Sequence, residues 1–227
     1  MSVFQLVLAS QSLRRRELIK LLGYPVSSVT AVVDEDSIFH ENPAINVVQT
    51  AVLKANAIKS QVEAAHPDGR KPIIIAADTT VALDGRQLGK PADETEASAM
   101  LRSLRGRTHE VHTGVTIVNL ASGEQVKGVH TAVVTMRLFS DEEIAAYVAN
   151  GDPMDKAGAY AIQHPTFRPV SRLDGCFTGV MGLSVCHLIQ SLAKIGVPIR
   201  AEKSAVHDAH QQYPCPIFTK IAPGLLE

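Results

Sequence analysis

Two serines and three arginines stand close together near the start of the chain, in the stretch LASQSLRRREL at residues 8–18. An apolar run precedes them and a helical pattern follows, so we predict a strand-to-helix turn, where free N–H groups and the helix dipole bind phosphate. Ser10 and Ser12 can donate to phosphate oxygens, and Arg14 and Arg15 can form paired hydrogen bonds to an oligophosphate. By spacing alone, a solvated basic helix face with serine caps explains the stretch somewhat better.

Two acidic residues follow apolar segments farther along the chain. Asp78 comes after IIIAA and Glu35 stands in VVDED, and we interpret both positions as strand ends. Carboxylates from two strand ends supply the few hard oxygen ligands that Mg²⁺ on a phosphate needs. On its own, Asp78 could equally be a turn former, and the alternative for Glu35 is an acidic loop.

Three further polar residues could complete a nucleotide site. Lys54 falls at the edge of the apolar face of a predicted helix, and Lys90 lies in the rigid turn LGKP. Gln163 follows AYAI, and its amide can match a pyrimidine edge that presents both an N–H and a carbonyl. Two of the three have an ordinary alternative, since Lys54 could extend its stem along apolar surface and Gln163 could be a core or surface glutamine.

The cysteines and the C-terminal histidines give weaker signals. Cys176, Cys186 and Cys215 form no C-x-x-C pair and are odd in number, so we expect a reducing compartment rather than a disulfide framework. We interpret them as buried or incidental thiols. His207 and His210 have a spacing like that of metal ligands, with Cys215 nearby, but a polar tail explains that spacing without a metal.

Length and charge limit the classes of protein. The chain has 227 residues, 45% of them hydrophobic, and its 22 basic and 23 acidic residues give a net charge of −1. Such a chain can bury a sizeable core, and it lacks the overall charge that attracts DNA or anionic membranes. It also lacks a leader pattern and any run of about 18 uninterrupted apolar residues. We therefore predict a cytoplasmic protein with neither a nucleic-acid nor a membrane partner.

Periodicity and capping signals predict alternating strands and helices with a hairpin in the middle, hence a mixed-sheet α/β or α+β fold. The predicted strands are 3–9, 26–33, 71–83, 109–119, 125–138 and 167–173. The predicted helices are 12–22, 43–65, 93–104, one that begins at Ser140 and ends at Gly151, and a last one at 179–195. The segment after Pro198 is rich in proline and histidine and is predicted to be a tail.

Several of these stretches together resemble motifs of the Maf family of nucleoside triphosphate pyrophosphatases, in the family's order. The resemblance covers about residues 4–195 and rests on LASQSLRRREL, DE at 34–35, LKA around residue 54, AADT at 76–79, LGKP at 88–91, GRTHEVHTGV at 106–115 and GDPMDKAGAYAIQ at 151–163. It implies a two-lobed Maf/ITPase-like fold of the α/β (α+β) class, with a long mixed β-sheet flanked by helices and a central cleft. The expected domain is 1–198, followed by a C-terminal tail of unknown role at 199–227.

The resemblance also implies an activity, which is hydrolysis of a nucleoside triphosphate to its monophosphate and pyrophosphate with a divalent metal cation, Mg²⁺ or Mn²⁺. Asp78 matches the family's proton acceptor, and we assign the metal to Glu35 and Asp78. Arg14, Thr79 and Gln163 fall at the family's specificity positions and resemble the branch acting on dTTP and UTP. A house-cleaning role that extends to modified pyrimidine nucleotides fits this branch, and a homodimer is compatible with it. The expected substrate-binding residues are Ser10, Ser12, Arg14, Arg15, Lys54, Thr79, Lys90 and Gln163.

Three residues depart from the family pattern. Leu13 and Ser184 stand where prolines are usual, and His164 replaces a glycine. They bear on the shape of the base pocket and the start of the last helix rather than on the reaction. The rival hypothesis is a nucleotide-binding regulator of cell division and septum formation without significant turnover. A purine-directed enzyme that removes inosine triphosphate is disfavoured by Gln163 and Arg14.

Overall fold

A mixed β-sheet organises the part of the chain that the computed structural model describes, residues 4–66, 72–211 and 213–227. Its seven strands run in the order β2-β1-β3-β5-β6-β7, and β4 pairs with β3 outside that path. β1 is parallel to β2 and β3, and the other pairings are antiparallel. The strands are β1 Leu6–Ala9, β2 Val26–Val29, β3 Ile73–Leu83, β4 Arg86–Leu88, β5 Thr108–Asn119, β6 Gln125–Met136 and β7 Val170–Asp174.

Helices flank this sheet, and the predicted caps set the first residues of two of them, α3 and α4. The Asp93 carboxylate accepts a hydrogen bond from the backbone N–H of Glu96 at 2.8 Å, and Ser140 and Glu143 form a capping box. None of the helices within the described ranges is both long and apolar enough to cross a membrane. The α-helices are α1 Leu13–Lys20, α2 Pro43–Ala64, α3 Glu94–Leu104, α4 Asp141–Ala149, α5 Phe177–Val180, α6 Val185–Lys194, α7 Lys203–Asp208 and α8 Pro216–Ile221.

Some predicted element boundaries are wrong. The single helix predicted at 179–195 is two helices, α5 and α6, because Gly182 between them has φ of +119°, which side-chain-bearing residues rarely adopt. The strand predicted at 26–33 ends at Val29, where its partner β1 also ends. Val3 and Lys71, the first residues of two predicted strands, lie outside the described residues.

The first half of β3 is buried on both faces of the sheet. Ile73 and Ile75 pack in a core with β1, α1 and α6, while Ile74 packs on the opposite face beneath α2. Burial on both faces explains the unbroken apolar run in this half of the strand.

The second half of β3 belongs to another lobe. Val81 and Leu83 pack in a separate core with α3 and α4. Between the two halves, Asp78 and Thr79 are the partly exposed residues of the strand. A single strand therefore joins two packed lobes, and the space between the lobes opens at its middle, as the two-lobed fold with a central cleft predicts.

Helix α2 lies unusually close to β5. A Cβ atom added at Gly114 would lie 2.5 Å from the carbonyl carbon and the carbonyl oxygen of Val47, so only glycine allows this approach. Gly114 pairs with Asp78 across the two strands. The contact therefore brings α2, which carries Lys54, against the strand that carries Asp78.

The segment predicted as a tail is folded against the main core. Val206, Ile221 and Leu225 are buried in the same cluster as residues of β1 and α1. Helices of six residues are not stable alone in water, so α7 and α8 depend on this packing. The separation of 1–198 from 199–227 as functional units stays a prediction.

We expect Gly114→Ala to lower the free energy of unfolding by about 1–3 kcal/mol, because the added methyl group overlaps the α2 backbone. Urea unfolding measures the change. Gly128→Ala in β6 is the matched control, since a Cβ there meets no atom of the described residues within 4 Å. Equal stability of the two variants would contradict the proposed close approach.

Candidate active site

A cleft of about 1010 Å³ lies between the two lobes, at the middle of β3. The predicted site residues come from distant parts of the chain, and the structure brings all of them to this cleft. Their individual roles stay predictions. The lining includes Ser10, Ser12, Arg14, Arg15, Glu35, Lys54, Asp78, Thr79, Lys90 and Gln163.

Two carboxylates converge on one buried ammonium group in the cleft. Lys54 Nζ donates to Glu35 Oε2 and to Asp78 Oδ1, both at 2.8 Å, and Lys54 is 8% exposed. A charge so far from water needs opposite charges beside it, and Lys54 has two. Lys54 is therefore an ion-paired residue of the cleft, and the interpretation of it as a stem along apolar surface is wrong.

The two carboxylates are not at strand ends, contrary to the prediction. Asp78 lies inside β3, because pairing with β5 continues to Ala82 after the parallel pairing with β1 has stopped at Ile75. Glu35 begins a short 3₁₀ helix, Glu35–Ser37, beyond the end of β2. The carboxylates meet through Lys54 rather than through neighbouring strand ends.

This arrangement suits a hard divalent cation. Because both carboxylates bind the same nitrogen, their two bound oxygens lie within about 5.6 Å of each other, twice the 2.8 Å of each hydrogen bond. The other oxygen of each carboxylate makes no hydrogen bond to the described residues, which leaves two oxygen ligands available. Few ligands and hard oxygen donors are what Mg²⁺ and Mn²⁺ prefer.

Arg15 is held inside the cleft by neutral acceptors. Its Nε donates to the carbonyl oxygen of Gly182 at 2.8 Å, and its Nη2 donates to Thr79 Oγ1 at 3.1 Å. Burial lowers the pKa of the Arg15 guanidinium and the nearby Asp78 opposes that change. An arginine remains charged at neutral pH, so the cleft keeps a fixed positive charge beside Thr79.

The predicted serine turn at the start of α1 is present. Ser12 is the N-cap, with its hydroxyl accepting from the backbone N–H of Arg15 at 3.4 Å, and Ser10 Oγ accepts from the N–H of Ser12 at 3.2 Å. Arg14 pairs with the exposed Asp155 at 3.0 Å. Within the described residues, the positively charged turn thus has a carboxylate partner in Asp155, which also lines the cleft.

Sequence reasoning did not single out Thr113, whose hydroxyl forms a hydrogen bond with the hydroxyl of Thr79. Thr113 is fully buried, and its hydroxyl donates to the carbonyl oxygen of Gly179 at 2.8 Å. Its one hydrogen is then used, so Thr79 must donate in the 2.9 Å contact between the two hydroxyls. This leaves the Thr79 oxygen to accept from Arg15. Thr79 and Thr113 both lie in motifs that resemble those of the Maf family, and they are paired across β3 and β5, which is the signal that could have identified Thr113.

The segment that carries Gln163 is fixed by polar contacts, while its amide is free. The Tyr147 hydroxyl donates to Asp152 Oδ2 at 2.6 Å and accepts from the N–H of Ala161 at 3.0 Å. His164 Nδ1, where the family has glycine, accepts from the N–H of Phe167 at 2.9 Å and closes the next turn. Gln163 makes no hydrogen bond to the residues described, so its amide can bind a ligand.

Charged residues around this segment pair with one another. Lys156 binds Asp152 at 3.0 Å and Asp155 at 2.6 Å. Burial opposes ionisation of Asp155, but the hydrogen bond from Lys156 and the charge of Arg14 outweigh it, and the pKa of Asp155 is lowered. Lys90 is exposed on the cleft lining and has no ion pair within the described ranges.

Histidine contributes no charge to the cleft. His109 lies behind Tyr160, which lines the cleft, and its Nε2 is 2.8 Å from the Tyr160 hydroxyl. Burial lowers the pKa of His109 to about 4, so the ring is neutral at pH 7. Among the described lining residues no histidine occurs, and the available proton acceptors are the carboxylates.

Comparison with known proteins identifies the family of the chain. Residues 5–195 match the family model described as Maf-like protein. The chain belongs to the Maf family. Curated relatives named dTTP/UTP pyrophosphatase include those of Pelotomaculum thermopropionicum, 42% identical over 85% of this chain and 97% of the relative, and Xanthomonas oryzae pv. oryzae, 43% identical over 84% and 98%.

Two more comparisons bear on the extent of the Maf match. The dTTP/UTP pyrophosphatase of Pasteurella multocida is 38% identical over 88% of this chain and all of the relative. A solved structure of the Staphylococcus aureus Ham1 protein covers 58% of this chain and 71% of its own, with 17% identity and a TM-score of 0.36, a similarity too low to support a conclusion. The Maf model ends at residue 195, before α7 and α8.

We expect Thr113→Val to lower the free energy of unfolding by about 1–3 kcal/mol, because the carbonyl of Gly179 and the hydroxyl of Thr79 lose a buried partner. Chemical denaturation measures the loss.

The control is Thr116→Val on the same strand. Thr116 is equally buried, but its hydroxyl has no hydrogen-bond partner among the described residues, so its removal should be neutral or stabilising. Similar losses in both variants would mean that the hydrogen bonds of the Thr113 hydroxyl do not contribute to the free energy of unfolding.

Proposed function

We propose that this member of the Maf family hydrolyses dTTP and UTP to the monophosphate and pyrophosphate. The observation that carries the proposal is the convergence of Glu35, Lys54 and Asp78 in the cleft that also holds the arginine-bearing turn. The names of the curated relatives support the same reaction.

The phosphates of the substrate lie against the positively charged side of the cleft. The backbone N–H groups at the start of α1 and the hydroxyls of Ser10 and Ser12 donate to phosphate oxygens. Arg15 and Lys90 add positive charge, and Lys90 has its ammonium group available for this purpose. Arg14 can move from the exposed Asp155 to a phosphate or to the base.

Asp78 accepts the proton of the attacking water. The water oxygen bonds to the α-phosphorus, the anhydride bond to the β-phosphate breaks, and pyrophosphate leaves with the electron pair of that bond. Lys54 fixes the Asp78 carboxylate by holding Oδ1, so that the other oxygen points to a defined place. Because the Asp78 carboxylate is already oriented, it does not have to change its position during the reaction.

A bound divalent cation, Mg²⁺ or Mn²⁺, would offset negative charge on the phosphates, and Glu35 and Asp78 are the residues that would hold it. Two arrangements of Asp78 use its open oxygen, either direct ligation of the cation or contact with the water alone. A carboxylate bound to the cation is the poorer base. In both arrangements Glu35 shares Lys54 with Asp78 and keeps the two carboxylates together.

The amide of Gln163 binds the nucleobase of the substrate, and Thr79 and Arg14 occupy the other two specificity positions. Uracil and thymine present carbonyl and N–H groups that an amide can satisfy together. A base that leaves a buried amide unpaired is disfavoured by about 1–3 kcal/mol, which gives preference rather than absolute selection. A cytoplasmic location, a homodimer and the absence of nucleic-acid and membrane partners stay predictions.

We expect Asp78→Asn to reduce kcat for pyrophosphate release by about 10²–10⁴-fold, because an amide cannot accept the proton. The measurement is pyrophosphate release from a panel of canonical and modified triphosphates with Mg²⁺ or Mn²⁺. Asp84→Asn is the control, since it makes the same change at the exposed turn after β3, where Asp84 pairs with Arg107. Full turnover by Asp78→Asn would refute the assignment of the base. Tight nucleotide binding by the wild type without pyrophosphate release would instead favour the septum-formation regulator.

We expect Gln163→Glu to lower kcat/KM for dTTP and UTP by about 10–100-fold relative to other nucleotides, because a carboxylate repels the carbonyls of both bases. The comparison of kcat/KM across the same panel measures it. Gln125→Glu, at the exposed start of β6, controls for the change in charge. An unchanged ranking of substrates would remove Gln163 from the base pocket.

A further inference from the structure

Three thiols and one imidazole meet in a buried cluster away from the cleft lining. Cys176 and Cys186 are 0% exposed, His210 is 3% exposed and Cys215 is 6% exposed. Their sulfur atoms and one imidazole nitrogen all lie within 4.8 Å of one another. The thiols do not form a disulfide, since all three cysteines are free. The interpretation of the cysteines as incidental and of His210 as part of a polar tail does not account for this convergence.

Three distances within the cluster are close to those of a tetrahedral zinc site. Zn²⁺ bonds of about 2.3 Å to sulfur and about 2.0–2.1 Å to nitrogen place any two ligand atoms about 3.6–3.8 Å apart. His210 Nε2 is 3.4 Å from Cys176 Sγ and 3.5 Å from Cys186 Sγ, and the sulfurs of Cys186 and Cys215 are 4.0 Å apart. All four atoms lie within 4.8 Å of one another, so an ion at their centre requires the widest pair to close by no more than about 1 Å.

Hydrogen bonds around the cluster fix the ligands in the orientation that a metal requires. His210 Nδ1 lies 2.7 Å from the carbonyl oxygen of Val206, so this nitrogen is the donor and Nε2 presents its lone pair to the sulfurs. The N–H of Phe218 donates to Cys215 Sγ at 3.4 Å, and the Thr178 hydroxyl lies 3.1 Å from Cys176 Sγ. Donors of this kind stabilise thiolates that bind a metal.

The four ligands join two parts of the chain. Cys176 follows β7 and Cys186 lies in the first turn of α6, both within the region that matches the Maf model. His210 follows α7, and Cys215 is the N-cap of α8, both beyond that region. A metal bound by all four would therefore attach the C-terminal helices to the body of the protein.

We propose that Cys176, Cys186, His210 and Cys215 form a structural zinc site that attaches α7 and α8 to the Maf domain. Three soft sulfur ligands and one imidazole in tetrahedral arrangement select Zn²⁺ over the hard cations that suit the cleft. Four protein ligands leave no open position, so the site is structural rather than catalytic.

Metal content of the full chain, purified from zinc-containing medium without added chelator, tests the proposal. We expect about one zinc ion per chain, because one set of four ligands binds one ion. Cys215→Ser and His210→Ala should lose the zinc, and His207→Ala should keep it, since His207 is exposed three residues from His210. His210→Cys retains four ligands and should keep zinc even if the first two variants fail to fold.

A second measurement follows the attachment itself. Removal of zinc with a chelator should raise amide hydrogen exchange in α7 and α8 more than in α3, which lies in the other lobe. Cobalt in place of zinc should give the ligand-field and charge-transfer bands of tetrahedral thiolate coordination, and His210→Ala should abolish them.

Four outcomes would overturn the proposal. The first is wild-type protein that contains no zinc and whose three thiols all react after unfolding, which would mean that the cluster consists of buried thiols without a metal. The second is the loss of two thiols to a disulfide. The third is zinc that remains in folded Cys215→Ser and His210→Ala, which would place the metal elsewhere. The fourth is iron in the cluster, which would refute the choice of metal.

Discussion

A buried ammonium group sets the geometry on which the cleft depends. Lys54 is almost inaccessible to water, and removal of an unpaired charge from water costs several kcal/mol, so two carboxylates must reach it. One comes from the middle of β3 and the other from the loop beyond β2. Helix α2 must therefore lie close to the sheet, which the missing side chain of Gly114 permits. A packing constraint at a glycine and an electrostatic constraint at a lysine thus fix the same helix.

The second wall of the cleft is positioned by hydroxyl groups rather than by charge. The hydrogen-bond direction runs from Arg15 to Thr79, from Thr79 to Thr113, and from Thr113 to the carbonyl of Gly179. Each hydroxyl donates once and accepts once, so neither threonine retains an unsatisfied hydrogen. Arg15 also binds the carbonyl of Gly182, which ties the start of α1 to the segment between α5 and α6. The arginine-bearing turn therefore keeps its place relative to β3.

The sequence predicts local structure well where the signal is itself local. Helix α2 begins at Pro43 as predicted, and the caps at Asp93 and Ser140 lie where their side chains indicate. The strand predicted at 71–83 ends at Leu83 as β3 does, but Asp78 was wrongly interpreted as a strand end, because the change of partner from β1 to β5 cannot be read from the strand's own residues. Burial of Lys54 was missed for the same reason, since periodicity places a residue on a helix face but does not say what covers that face. The resemblance to the Maf family, rather than composition or spacing, indicated which residues form one site.

The thiol cluster is a second feature that local sequence signals did not reveal, and one segment of the chain connects it to the cleft. Its cysteines have none of the short spacings that reveal a metal site in sequence, so only the fold brings them together. Yet Cys176 and Cys186 bracket the segment whose carbonyls, at Gly179 and Gly182, receive Thr113 and Arg15. One side of that segment faces the cleft and its two ends are held at the cluster. Because a carbonyl can align with Arg15 only if its peptide is fixed, the packing of the C-terminal helices around the thiols bears on the place of the arginine beside Asp78.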